Sequence, residues 1–74
     1  SMLNTNKKVK NMTDREEMLE IAKRKINDIM IPNDLMGVTY NCLLTDTTIE
    51  IDYTGDDGFY KISQNGYSLT TVEV

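Results

Sequence analysis

The residues with chemistry to offer are mostly carboxylates. Glu50, Asp52, Asp56, Asp57 and Glu73 crowd one end of a 74-residue chain, and Asp52, Thr54 and Asp56 place oxygen ligands at alternate positions, as a calcium loop does. The match stops there. A calcium loop starting at Asp52 needs glycine where Asp57 stands and glutamate where Ser63 stands. Gly55-Asp56-Asp57-Gly58 reads instead as a turn. Two acids on one sheet face can share acid–base work, as in glycoside cleavage, but that chemistry needs a deep pocket, which so short a chain can hardly build. Among nucleophiles there is one cysteine, Cys42, and the chain has no histidine, so the usual zinc sets are absent. Cys42 falls on the inward sheet face between hydrophobic neighbours and reads as a small buried hydrophobe. With no glycine-rich phosphate loop and no Ser/His/Asp set, the expectation is a protein that is not an enzyme and carries no cofactor or metal.

Binding is the chemistry that remains. A sheet face bearing Glu50, Asp52, Asp56 and Asp57 offers negative charge to a basic protein partner, and such binding weakens steeply with salt. The net charge of −4 is unevenly spread: residues 1–39 hold seven of the eight basic residues, while residues 40–74 hold Lys61 against six acids. Direct nucleic-acid binding is not expected, because Lys7, Lys8 and Lys10 make only a small basic arm rather than a clustered patch. Lys23, Arg24 and Lys25 read first as a solvated helix face. An alternative uses them differently: an oligomer would enclose a nucleotide-like small molecule at its subunit interfaces, with Tyr67 stacking on the ligand and these cations meeting its phosphates.

These residues need elements to hold them. Thr13-Asp14-Arg15-Glu16 is a capping box, in which the threonine oxygen accepts from the Glu16 amide and the glutamate reaches back to Thr13. A helix of about five turns starts there. Met18, Leu19, Ala22, Ile26, Ile29 and Met30 form its apolar stripe, Glu20 can pair with Arg24, and Pro32 ends it. Pro32-Asn33-Asp34 supplies turn chemistry, and Leu35 and Met36 are expected to plug the end of the core.

From Val38 to Val74 the pattern alternates, and three turns set its register. Asn65-Gly66 is a type I′ hairpin signal that pairs Gln64 with Tyr67, Ile62 with Leu69 and Tyr60 with Thr71. Gly55–Gly58 pairs Tyr53 with Tyr60 and Asp52 with Lys61, a favourable cross-strand charge pair. Thr45–Thr48 sets Leu44 opposite Ile49 and Cys42 opposite Ile51. All three place Tyr40, Cys42, Ile49, Ile51, Tyr60 and Ile62 on one face, which must meet the helix. The expected fold is α+β: one N-terminal amphipathic helix packed on one face of a four-stranded antiparallel β-meander, with residues 1–11 a flexible lead-in and residues 12–74 a single domain. Ser1 before Met2 reads as a tag remnant.

In this register Phe59 and Val72 face each other on the outer side of the sheet, near Val74. Phe59, Tyr67, Val72 and Val74 are therefore the expected oligomer interface, along an edge from Tyr67 to Val74 that carries one charge and no proline. A domain this small buries only about 60% of its unfolded surface and has no disulfide, so a homo-oligomer or a bound protein partner is the expected support. The apolar runs are too short to span a bilayer, and the lone cysteine fits a reducing, cytoplasmic setting. Brevity and a leaning to Asn, Lys, Ile and Thr follow the style of small phage and mobile-element proteins that inhibit host factors in the host cytoplasm. A structural subunit of a larger assembly is the remaining alternative.

Overall fold

Thr13 starts the helix as its spacing predicts. In the computed structural model, which describes residues 12–74, the Thr13 amide donates to Glu16 Oε1 at 2.8 Å and the Glu16 amide donates to Thr13 Oγ1 at 3.1 Å. The expected lead-in over residues 1–11 lies outside the described residues. Helix α1 runs Asp14–Lys25, with acids in its first turn and bases in its last, the order its dipole favours. Glu20 pairs with Lys23, at 3.6 Å, rather than with Arg24.

The helix then widens into a π turn over Ile26–Met30, where Ile31 donates to the Ile26 carbonyl at 2.9 Å. The reason lies in the stripe. Met18, Ala22, Ile26 and Met30 are buried at intervals of four residues. At about 100° per residue, each α-helical step of four overshoots a turn by about 40°, which would swing Met30 off the sheet. The wider turn takes back that drift. It also turns Ile29 outward, to 40% exposure, although the α-helical stripe had placed it in the core. Leu35 and Met36 likewise do not plug the core: they are 38% and 60% exposed beyond the helix end.

Four antiparallel strands follow in sequence order: β1 Gly37–Cys42, β2 Thr47–Tyr53, β3 Phe59–Gln64 and β4 Tyr67–Glu73. The α+β meander is therefore as the sequence predicts. Its central register is too, with Tyr53 opposite Tyr60 and Asp52 opposite Lys61. The outer two registers differ. Cys42 faces Thr47, not Ile51, because the first turn is Leu43–Asp46, with Asp46 at φ +55°. This slip is an even number of residues, so no side chain changes face.

The β3–β4 hairpin does change faces. Asn65 and Gly66 take positive φ, as a type I′ turn requires, and Gln64 faces Tyr67. Beyond Ser63 and Ser68 a bulge inserts one residue, so that Ile62 faces Thr70 rather than Leu69, and Tyr60 faces Val72 rather than Thr71. Val72, expected on the outer face, thus joins the core at 7% exposure. The core is the helix stripe laid on Cys42, Ile49, Ile51, Tyr60, Ile62 and Val72, with Leu69 packed against it. Among the described residues, no helix is long and apolar enough to cross a membrane.

Candidate functional site

A concavity lies where the chain leaves the helix. Pro32 forces that exit, and the turn is pinned on both sides: the Leu35 amide donates to the Met30 carbonyl at 2.9 Å, and the Tyr53 amide donates to the Met36 carbonyl at 2.8 Å. Asp34 takes φ +56°, a conformation in which a short polar side chain is tolerated. Facing this turn is the β2–β3 loop. There Thr54 Oγ1 donates to the Phe59 carbonyl at 2.9 Å and accepts from the Asp56 amide at 3.1 Å. Gly58, at φ +86°, accepts from the Val74 amide at 2.8 Å, and a Cβ on it would stand 3.2 Å from the Val74 carbonyl oxygen. The loop and the end of β4 are therefore locked together.

Between these two braced segments lies a cleft of about 360 Å³. Its floor is Met30 with Tyr53 and Tyr60, whose rings are tilted with centroids 5.4 Å apart. Leu35, Met36 and Val74 form apolar walls, and Asp34 and Asp57 line the cleft from opposite segments. Among the described residues no basic side chain lines it. An apolar, aromatic floor under two carboxylates suits a long cationic side chain: its stem lies on the aliphatic walls while its head meets carboxylate and ring faces.

The four acids expected to form one docking face do not sit together. Asp57 lines the cleft, and Asp56 is exposed in the same loop. Glu50 and Asp52 stand on the opposite side of the sheet, with Asp52 facing Lys61 on β3 and lying across Gly37, where a Cβ would come within 2.9 Å of its Oδ1. No protein-family model, curated protein or solved structure matches this chain. What its surface can bind therefore has to follow from the residues themselves.

The other expected sites are also separated. Lys23 is held by Glu20, and Lys25 places its Nζ 4.8 Å above the centroid of the Tyr40 ring. Tyr67, 80% exposed, lies across from Gln64, whose amide nitrogen is 3.6 Å from Met18 Sδ near the start of α1. Two helical turns separate Met18 from Lys25, so within one copy Tyr67 and these cations stand apart. Of the expected interface, Val72 faces the core, and Phe59 stands opposite Glu73 instead. Among the described residues no group of three or more His, Cys, Asp or Glu side chains could hold a metal ion.

Tyr40 stays protonated near neutrality. Burial, with a smaller contribution from Cys42, pushes its phenol up to about 12, and its hydroxyl is buried without a partner among the described residues. The sequence reading missed Asp34 and the tyrosine floor. Asp34 reads as turn chemistry and Tyr60, with Tyr53 paired to it, as part of the sheet, yet their strand positions beside the Gly55–Gly58 loop place both tyrosines at the sheet end.

Proposed function

We propose that this chain is a non-enzymatic binding module that captures a protein partner through a basic residue flanked by apolar ones. The observation that carries the reading is the cleft: two carboxylates, Asp34 and Asp57, over a floor of Met30, Tyr53 and Tyr60, with no lining base among the described residues. Apolar side chains continue around it. Ile31 and Met36 are both more than half exposed, and Val74 is partly so. A basic segment laid here buries apolar surface and neutralises charge together, and the charge also speeds encounter.

Selection from a random peptide display library tests this. Recovered peptides should carry Arg or Lys beside Leu, Ile or an aromatic residue, bind more weakly as salt rises, and lose at least tenfold in affinity for Asp34→Asn/Asp57→Asn. Neutral or acidic winners, or binding indifferent to the double substitution, would overturn the reading. Two-dimensional NMR of the same peptides should shift the amides of Tyr53, Gly58 and Tyr60 rather than those of Thr39 or Lys61.

A further inference from the structure

The edge of β1 is open, and the ladder says which groups it presents. The Tyr53 amide donates to the Met36 carbonyl, so residues 36 and 53 are a hydrogen-bonded pair. Bonded and non-bonded pairs alternate along an antiparallel ladder, so Val38, Tyr40 and Cys42 direct their backbone groups to β2. Gly37, Thr39 and Asn41 direct theirs away from it, and all three are exposed. Among the described residues no strand lies beyond β1.

The two edges of the sheet are unlike. Strand β4 carries a bulge and Glu73, two devices that discourage edge pairing. Strand β1, Gly37-Val38-Thr39-Tyr40-Asn41-Cys42, has no charge, no proline and an uninterrupted register. Its core-facing residues are also incompletely covered: Val38 and Tyr40 remain half-buried, although Cys42 on the same face is buried. The core face therefore runs out to this edge, where Lys25 lies over the Tyr40 ring and Val38 stays half-buried.

We propose that β1 pairs antiparallel with β1 of a second copy of this chain, about a two-fold axis through Thr39, joining the two sheets into one. The register is constrained. Directly opposed residues must share a face, which limits the axis to passing through a residue. An axis through Thr39 sets Gly37 against Asn41 of the second copy and Thr39 against itself, so that every outward-pointing residue of the strand is paired, with roughly six hydrogen bonds in all. Axes through Val38 or Tyr40 pair fewer of them. The Thr39 axis also sets Val38 against Tyr40 of the second copy on the core face, where an aliphatic and an aromatic side chain cover each other. A neutral strand meets its own copy without repulsion. The neighbouring helix surface, where Arg24 and Lys25 stand beside Asp28, carries both signs of charge and so does not drive the copies apart.

Sedimentation velocity of the full chain at high micromolar concentration should show a species of twice the 8.5 kDa monomer mass. Thr39→Lys, which opposes two like charges on the exposed face, and Thr39→Pro, which removes an edge donor, should each weaken dimerisation at least tenfold while the far-UV spectrum is kept. In a Cys42→Ala background, Thr39→Cys should oxidise to a covalent dimer, since a bonded pair holds its Cα atoms about 5.5 Å apart, within disulfide reach. Thr71→Cys, on the bulged strand, should not. A wild type that stays monomeric overturns the proposal, as does a dimer that both Thr39 variants leave intact. Crosslinking through residue 71 rather than 39 would overturn it equally.

Discussion

Replacing Val72 by alanine removes two methyl groups from a side chain that the bulge in β4 has turned into the core, where it faces Tyr60 at 7% exposure. At about 0.8 kcal/mol per buried methylene the transfer loss is about 1.6 kcal/mol, and the cavity left under a partly rigid sheet brings the cost to about 2 kcal/mol. Thr71→Ala touches an exposed residue opposite Lys61 and should cost no more than about 0.5 kcal/mol. The contrast is diagnostic, because an unbulged hairpin would put Thr71 opposite Tyr60 and leave Val72 outside. Urea denaturation followed by far-UV circular dichroism, at one protein concentration, gives both differences as shifts in midpoint. In a thermal scan Val72→Ala should melt roughly 10 °C below the wild type, given about 4–8 °C per kcal/mol for a domain of this size. The reasoning fails if the two variants are equally stable, or if Thr71→Ala is the more damaging.

Alkaline pH should unfold the protein in part through Tyr40. Its phenol is held up to about 12 against an ordinary value of 10.0, so the folded state keeps a proton that the unfolded chain has already lost. That contribution is complete below pH 10 and disappears as pH rises toward 12. Tyr40→Phe should lose less stability over that window in thermal melts, and should match or exceed the wild type at neutral pH, since it deletes a buried hydroxyl without a partner. At the other end of the chain, Thr13→Ala breaks the capping box and should cost about 1 kcal/mol in the same urea assay, whereas Thr13→Ser should cost a few tenths at most.

The errors of register show what alternation along a chain can establish. Three turns agreed on a core face, but agreement of that kind tests parity alone. Moving the first turn from Thr45–Thr48 to Leu43–Asp46 slides β1 by an even step, so Tyr40 and Cys42 keep their face while every partner changes. Thr and Asp read as turn formers and two leucines do not, although Leu43 is the most exposed large hydrophobic among the described residues. The bulge is the harder case. Leu69 packs on the core whether or not the bulge is present, and the residue that betrays it, Val72, lies three positions on. Its apolar type conflicts with an outer position, a conflict that an interface resolves as readily as a bulge does. The π turn is similar: the stripe residues Met18, Ala22, Ile26 and Met30 stand strictly four apart, a spacing that an α-helix cannot keep on one line. That strict spacing was the available signal.

Both proposed surfaces arise where regular elements stop serving the core. The cleft exists because Pro32 halts the helix one residue past Met30, leaving Leu35 and Met36 to form a wall instead of a lid. Its opposite wall exists because Val74 is bonded to Gly58, which carries β4 to the loop that bears Asp57. The open edge has a different origin. The bulge draws Val72 inward and bends β4, which protects that side, while nothing comparable interrupts β1. The two surfaces are compatible in one assembly. Asp57 and Gly58 lie in the β2–β3 loop and Val74 just past β4, all beyond the strand ends, and the proposed axis passes through Thr39 within β1. A two-fold there turns the second copy end for end, so the two clefts open at opposite ends of the joined sheet. A partner with two basic segments could then engage both, and its gain over a single segment would depend on whether its linker spans the sheet.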